Sequence, residues 1–332
     1  MSTPELTALT ISAPAQLDQA APSAAAAGYA ARSRAQNTKR AYTADWAHFG
    51  AWCAARGRTS LPATPTTVGD YLSWCADGEP ASGQPALAVA TLSRRLAAIG
   101  QAHQLAGYET PSKSEWVRTV MKGIRRTKST AQRQAAPAVG SIMRQWVQVL
   151  PNSRLGTRDR ALLLLGFAGA FRRSELASLD VGDLRFVPDG VIVTLRSSKT
   201  DQEGQGTTKG IKLGSSADTC PVRALQAWIK AAELVSGPLF RPLDRHGNIK
   251  PKRMNAGDMA TVIKRTATAA GFDAETFSGH SLRAGFATAA AAAGASDRSI
   301  KQQTGHKSDR VLQRYIREGS LFRENASGLI GL

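Results

Sequence analysis

The sequence predicts a mainly helical protein with a small antiparallel β-sheet, which is an α+β chain in two domains. Apolar residues recur at helical spacing from about residue 30 to about residue 130. The following region combines a long apolar helix with two strands around a polar loop. The expected organisation is a flexible leader at 1–29, a helical domain at 30–126, a linker at 127–138 and a second domain at 139–332.

The composition indicates an anionic partner. The 332 residues carry 43 Lys+Arg against 25 Asp+Glu, and this net charge of +18 exceeds what solubility requires. Nucleic acid is the expected partner, and an anionic membrane surface is the rival. We expect no membrane contact, because the sequence has no run of about 18 apolar residues and no basic amphipathic segment at its start.

The cysteines and the first residues indicate an intracellular protein. Cys53, Cys75 and Cys220 are odd in number and lack metal-ligand spacing, so we interpret them as reduced thiols. The leader has neither the basic start nor the apolar stretch of a secretory signal. The expected compartment is the cytoplasm.

The helical domain is predicted from four amphipathic segments. NTKRAYTADWAHFGAWCAARG places Tyr42, Trp46, Phe49 and Cys53 on one helical face. Similar patterns occur in TTVGDYLSWCAD, ATLSRRLAAIGQAHQLAGY and SEWVRTVMKGIRRT. This domain contains four tryptophans, Trp46, Trp52, Trp74 and Trp116. We interpret them as core residues rather than as platforms for stacking bases.

Two stretches without any acidic residue are the expected DNA-contacting surface of this domain. No Asp or Glu lies between residues 18 and 45 or between residues 115 and 159. A solvated face usually mixes both signs, whereas uninterrupted cations suit contact with phosphates. The candidate DNA-binding residues are Arg32, Arg34, Lys39, Arg40, Lys122, Arg125, Arg126 and Lys128.

The second domain begins with the apolar segment RDRALLLLGFAGAFRRSELASLDVGDL, which predicts a deeply buried helix, a turn and a short helix. DGVIVTLRSSKTDQEGQGTTKGIKL predicts two strands joined by a long polar loop. A strand-like piece follows at PLFRP, and the remaining sequence is predicted to be helical.

Several polar residues of this domain are candidates for a phosphate-handling site. His280 and Arg283 stand three apart at a predicted helix start, where free backbone N–H groups favour phosphate, although this spacing is also common on surfaces. Arg172 shares a helix face with Leu176. Glu175 could orient Arg172 or could simply neutralise it.

Three further residues complete the set. Lys199 follows a predicted strand, where most lysines are merely solvated. Tyr315 falls at helical spacing with Leu312 and Ile316, so it could be an ordinary core residue, and it stands nine positions after His306. The order of these residues along the chain is more specific than any one of them.

Together these residues resemble the motifs of the tyrosine site-specific recombinases, or phage-type integrases, and the resemblance runs from about residue 30 to the end. RRSE is similar to the family's arginine motif, SKT to its hairpin lysine and HSLR to its His-x-x-Arg motif. GH and the tyrosine nine residues later are similar to the last two motifs. The matched positions are Arg172, Lys199, His280, Arg283, His306 and Tyr315, with Glu175 at the neighbouring acidic position.

The resemblance implies a helical core-binding domain and a catalytic domain that close on DNA as a C-shaped clamp. Tyr315 would attack a backbone phosphate to form a 3′-phosphotyrosine. Two arginines and His306 would stabilise the transition state, while Lys199 would protonate the leaving oxygen with help from His280. With these cations no cofactor, metal or ATP is expected, and the sequence shows no carboxylate cluster of the two-metal type.

The resemblance also implies partners. We expect double-stranded DNA with inverted-repeat half-sites, a monomer or dimer before synapsis, and a homotetramer on two duplexes that exchanges strands through a Holliday junction. The apolar tail from residue 316 would dock on a neighbouring subunit or fold back on its own domain. The alternatives are nicking and resealing as in type IB topoisomerases, and a DNA-binding regulator that no longer cleaves.

Overall fold

The computed structural model describes residues 36–128, 136–196, 206–306 and 309–320, together with Ser23 and Ala25. The chain divides into two compact units, Met1–Arg133 and Gln134–Leu332. Most of the predicted leader and linker and the end of the predicted tail lie outside the described residues. Among the helices that are described, none combines the length and apolar character needed to cross a membrane.

In the first unit, the predicted amphipathic segments form helices around a shared apolar core. Their bounds are α1 (Gln36–Ala54), α2 (Pro65–Asp77), α3 (Val89–Leu105) and α4 (Glu115–Thr127). Helix α1 packs against α3, and α2 packs against α4. Phe49 and Tyr71 are fully buried in this core, with ring centroids 4.9 Å apart.

Three of the four tryptophans of this unit pack in its core or against it. Trp116 is instead 52% exposed, so the prediction that it is a core residue is wrong. On α4 only Val117 and Met121 are buried, and the ring of Trp116 lies at the edge of this stripe. There it covers Gly69 of α2, where a Cβ atom would come within 2.6 Å of the indole Nε1.

The second unit contains most of the helices and the sheet. The helices are α5 (Gly140–Gln148), α6 (Arg154–Ala168), α7 (Arg173–Ser178), α8 (Pro221–Ala231), α9 (Ala256–Ala269), α10 (Ser281–Ala292), α11 (Asp297–Thr304) and α12 (Asp309–Gly319). The strands are β1 (Leu184–Val187), β2 (Gly190–Leu195) and β3 (Thr207–Lys212), and they form an antiparallel sheet in the order β1-β2-β3.

Two details of the sheet differ from the sequence expectation. Strand β1 was not predicted, although the Pro-Asp-Gly turn signal in FVPDGV stands between β1 and β2. The strand-like piece PLFRP forms only a single bridge, between Asp180 and Pro238. The predicted strands β2 and β3 pair in a register that places Val193 opposite Lys209.

The core of the second unit positions the C-terminal helices. Helix α6, with Leu162, Leu163 and Leu165 fully buried, packs against α8 and α10. Helix α10 in turn packs against α11 and α12. The small side chains of α10 leave room for Leu312, which is 2% exposed, so α12 lies close to the helix that carries Arg283.

A buried ion network joins α6 to α9. The Arg158 guanidinium donates to Asp159 Oδ1 from Nε at 2.9 Å and from Nη2 at 2.7 Å, and Arg265 donates to Asp159 Oδ2. The side chains of Arg158 and Asp159 are 4% and 2% exposed, whereas that of Arg265 is 48% exposed. Asp159 therefore neutralises a cation that has almost no access to water.

Replacing Asp159 by alanine should strongly destabilise the second unit. The substitution leaves the Arg158 charge buried and uncompensated, which typically costs about 3–5 kcal/mol. Arg265→Ala, the matched control, removes an exposed partner and should cost about 1 kcal/mol or less. Urea unfolding of both variants measures the difference, and equal losses would show that burial of Arg158 does not decide the effect.

Candidate active site

The end of α6 sets the backbone from which the site is built. The amide of Ala170 donates to Phe167 O at 2.9 Å and that of Phe171 donates to Gly166 O at 3.1 Å, which is the Schellman pattern of a helix C-terminus. The residue in the left-handed position is Ala170, with φ of 47°, where glycine is usual. A Cβ atom on Gly169 would overlap the ring of Phe171, so this turn admits little variation.

Arg172 follows this turn and caps the short helix α7. Its backbone N–H donates to Glu175 Oε2 at 2.9 Å, and its guanidinium forms an ion pair with the same carboxylate. Nη2 of Arg172 also reaches the carbonyl of Gly305 at 3.4 Å. Glu175 is 3% exposed, so its carboxylate neutralises Arg172 where water has little access, and it contacts both the backbone N–H and the guanidinium of that residue.

Arg283 lies on α10 and is 5% exposed. Its Nη1 donates to the carbonyl of Ala170 at 2.8 Å, so it contacts the turn that precedes Arg172. Its Nη2 is buried and has no hydrogen-bond partner among the residues that the structure describes. Burial and then the nearby Arg172 lower the pKa of Arg283 to about 10, so the guanidinium stays charged at neutral pH.

His306 directly follows α11 and the glycine at its end. The Thr304 hydroxyl donates to Ile300 O at 2.7 Å, so the 2.8 Å contact between His306 Nδ1 and Thr304 Oγ1 assigns the hydrogen to Nδ1. Burial, followed by the charges of Arg283, Arg172 and Lys209, lowers the pKa of His306 to about 4. In the free protein His306 is therefore neutral, and Nε2 is the ring nitrogen that carries no hydrogen.

Tyr315 is half-buried on α12 and lies near His306 and Arg283. Its ring centroid is 6.3 Å from that of His306, with the planes tilted by 37°, and its phenol is within electrostatic reach of Arg283. Ile316 packs with it against the apolar cluster that contains Leu312. The helical stripe thus anchors α12 while the phenol remains near the cations.

The comparisons with known proteins identify the family of this chain. Residues 141–320 match the phage integrase family, and residues 29–109 match the SAM-like N-terminal domain of phage integrases. The chain belongs to the phage integrase family of tyrosine recombinases. This confirms the resemblance and the enzyme class, and the small three-stranded sheet within a mainly helical chain confirms the predicted fold class.

Two relatives of this recombinase cover most of its length. It is 40% identical over 299 residues to an integrase/recombinase xerD homolog of Selenomonas ruminantium, covering 89% of this chain and 85% of that protein. It is 28% identical over 288 residues to recombinase cre of Escherichia phage P1, covering 81% and 80%. Among solved structures, XerH site-specific recombinase bound to palindromic difH substrate shares the fold with a TM-score of 0.58 and 16% identity, covering 80% of this chain and 71% of that one.

Not all candidate residues of the recombinase are in this cluster. Lys199 lies outside the described residues. His280 is exposed at the residue that precedes α10, where its backbone N–H donates to Ser278 Oγ at 3.1 Å. The described residues contain no group of three or more His, Cys, Asp or Glu side chains arranged to hold a metal ion.

The sequence reasoning missed Lys209, which points inward from β3. It is 5% exposed, and its Nζ donates to the carbonyl of Gly169 at 2.7 Å. Glu175, Arg283 and Arg172 all act electrostatically on its ammonium. Alternation in TTKGIKL, which puts Lys209 on the same strand face as Ile211, was the available signal.

The candidate DNA-binding residues lie in the first unit. Arg32 and Arg34 are outside the described residues. Arg40, Lys122, Arg125 and Arg126 are exposed, whereas Lys39 and Lys128 are half-buried. Arg118 and Arg126 border one shallow surface groove on α4, and Arg118 is paired with Glu115 at 2.5 Å.

The lowered pKa of His306 should be visible as a pH dependence of stability. Between about pH 6.5 and pH 4, the unfolded chain binds a proton at His306 that the folded chain does not bind, so stability is lost as the pH falls through this window. His306→Gln removes this effect. Urea unfolding at several pH values should show the wild type losing stability relative to His306→Gln below about pH 6.5, whereas a constant difference would contradict a neutral, buried His306.

Proposed function

We propose that this recombinase cleaves double-stranded DNA by attack of Tyr315 on a backbone phosphate held by Arg172, Arg283 and His306. The product is a 3′-phosphotyrosine, and exchange between two duplexes passes through a Holliday junction. The observation that carries the proposal is the convergence of two arginines from separate elements beside one tyrosine, with Nη2 of Arg283 buried and lacking an acceptor within the described structure.

The charges of the cluster support an anionic ligand. Arg172, Lys209 and Arg283 interact with one another and with the carboxylate of Glu175. A buried donor without an acceptor costs about 1–3 kcal/mol. A phosphate oxygen would supply an acceptor for Arg283, and the phosphate charge would offset the excess of cations.

The proposed cleavage step conserves the energy of the DNA phosphodiester bond, because a phosphotyrosine bond replaces it. Tyr315 Oη bonds to phosphorus while the bond between phosphorus and the 5′-oxygen breaks, and Lys199 gives a proton to that departing oxygen. The phenol proton leaves to His280 or to water. Attack by a 5′-hydroxyl on the phosphotyrosine reverses the step, so resealing needs no ATP, and fixed cationic donors stabilise the phosphoryl oxygens without a metal ion.

The state of His306 adds a requirement to this mechanism. Its Nδ1 hydrogen is used by Thr304, so donation to a phosphate oxygen must come from Nε2, which has no hydrogen in the neutral ring. A bound phosphate would favour the protonated imidazole by offsetting the charges of Arg283 and Arg172, which lower its pKa. His306 is therefore proposed to take up a proton when DNA binds.

The proposed substrate is duplex DNA with inverted-repeat half-sites. XerH recombinase is described on a palindromic difH substrate, and λ integrase is described as a dimer bound to a core site. These descriptions support binding of paired half-sites by this chain, and assembly of a homotetramer on two duplexes belongs to the same proposal. The cytoplasm is the proposed compartment, in keeping with the free, buried thiols of Cys53, Cys75 and Cys220.

Two regions are proposed to hold the DNA, a core-binding region at 30–126 and a catalytic region at 139–332, joined by a linker at 127–138. Helix α4 supports the first assignment, because Lys122, Arg125 and Arg126 are exposed on it. A clamp formed by the two regions would place these cations against phosphates on the DNA backbone.

Tyr315→Phe should abolish the covalent adduct between protein and DNA. The free energy of DNA binding should change by less than about 1 kcal/mol. The ring still packs on α12, and only the nucleophilic oxygen is lost. The substrate is a nicked inverted-repeat site located by footprinting on DNA that flanks the gene. The matched control is Tyr108→Phe, a half-exposed tyrosine of the first unit, which should form the adduct like the wild type.

The outcomes of this assay separate the alternatives. Adduct formation by Tyr315→Phe would rule out Tyr315 as the nucleophile. A wild type that binds the site but forms no adduct would be a DNA-binding regulator. Adduct formation without joining of two duplexes would indicate nicking and resealing of the type IB kind.

Arg126→Ala should weaken binding of the half-site and lower the slope of log K against log salt by about 1, because one phosphate contact is lost. Arg118→Ala is the matched control on the same helix. Its charge is already paired with Glu115, so it should change the slope less. Equal slopes for Arg126→Ala and the wild type would exclude Arg126 from the phosphate contacts.

A further inference from the structure

We propose that Lys209 is a positioning residue of the cleavage reaction, whose ammonium holds the turn at the end of α6 so that Arg172 and Arg283 are presented to the phosphate. This inference rests on the function proposed above. Lys209 is distinct from Lys199, the candidate acid, and its hydrogen bond is made to protein backbone rather than toward an open surface.

The position of Lys209 is the first argument. Strand β3 alternates exposed and buried residues, and Lys209 and Ile211 occupy its inward positions. Lys209 stands opposite Val193, which is fully buried, so an apolar side chain would fit the local pattern. Lysine is almost never fully buried without a partner, because the charge is expensive to remove from water. The burial of Lys209 therefore indicates that its charge has a structural or functional role.

The contacts of the turn are the second argument. Three successive carbonyls accept hydrogen bonds from side chains of three other elements. Ala168 O accepts from Gln303 Nε2 at 2.9 Å, Gly169 O from Lys209 Nζ at 2.7 Å, and Ala170 O from Arg283 Nη1 at 2.8 Å. These carbonyls end a helix, where partial negative charge favours cations. The turn is thereby tied to α11, β3 and α10 at once.

The third argument is strain in the same turn. Ala170 is held at φ of 47°, a conformation that costs a residue with a Cβ atom free energy and persists only where its surroundings impose it. Lys209 also lies 4.8 Å from the centroid of the Phe171 ring, and Phe171 is the residue that connects the turn to Arg172. Loss of the ammonium would release both the carbonyl of Gly169 and this ring.

Charge is the fourth argument. The ammonium of Lys209 is faced by Glu175 on α7, by Arg283 on α10 and by Arg172 at the start of α7, and its charge also acts on His306. It therefore raises the positive potential at the site. Because its ammonium is bonded to the carbonyl of Gly169, it does not compete for the phosphate oxygens. Burial, opposed by Glu175 and assisted by the two arginines, lowers the pKa of Lys209 to about 8.

The test compares Lys209→Met, which keeps the length of the side chain and removes the charge, with Lys209→Arg and with Lys212→Met. Lys212 is exposed on the same strand and serves as the matched control. In single-turnover cleavage at saturating DNA, Lys209→Met should lower the rate of adduct formation roughly 10- to 100-fold, as expected when reacting groups move by about 1 Å. Half-site Kd should change by less than about threefold, because no phosphate contact is removed.

Lys209→Arg should restore most of the cleavage rate, which a purely steric role for the methylenes would not predict. It should also change the pH profile. Lysine in the wild type loses its charge as the pH rises through its folded pKa, at or above about pH 8 when phosphate is bound, whereas arginine keeps its charge. The ratio of the wild-type rate to the Lys209→Arg rate should therefore fall with rising pH.

Three results would overturn the proposed role of Lys209, and a fourth would overturn the proposed function. Cleavage by Lys209→Met at the wild-type rate would overturn the inference, and so would equal losses for Lys209→Met and Lys212→Met. A loss of half-site binding by Lys209→Met that matches its loss of cleavage would show a structural role instead, and would also overturn it. Failure of the wild type to form any adduct would overturn the proposed function itself, so the two failures are distinguishable.

Discussion

The candidate site depends on holding like charges together. Arg172, Lys209 and Arg283 are brought from three elements of the second unit to the surroundings of a single carboxylate, Glu175. Cations this close repel one another, and the repulsion is strongest where water is excluded. The fold opposes it with Glu175 and with the carbonyls of one turn, while Nη2 of Arg283 keeps no acceptor within the described structure. This excess of positive charge and this unpaired donor are the basis of the proposed phosphate site.

The turn at the end of α6 connects the groups of that arrangement. Its carbonyls cannot bond within the helix, so side chains from other elements satisfy them. A displacement of the turn would move Arg172 directly and Arg283 through its bond to Ala170 O. The same geometry explains why Ala170 is tolerated in a conformation that usually requires glycine. The carbonyls that lack partners at the helix end are thus the same atoms that accept hydrogen bonds from Lys209 and Arg283.

Much of the fold could be predicted from local pattern. Apolar spacing predicted the helices of the first unit and the buried α6, because burial of one face follows the helical period. Strand β1 was missed because four residues give little periodicity, although the turn after it was readable. Trp116 was misassigned because spacing cannot tell the centre of a buried stripe from its edge. Lys209 was missed because a lysine in a hairpin is ordinarily assigned to solvent.

The sequence by itself determined which residue types are present and in what order, and that order predicted the family to which the chain belongs. Only the tertiary structure decided how these groups are charged and joined. Whether His306 is neutral and whether Lys209 is buried depend on desolvation and on partners far away in the chain, and the sequence alone does not show that Glu175 pairs with Arg172. Sequence spacing carries no information on these quantities, because electrostatic free energy depends on distance and water access in three dimensions.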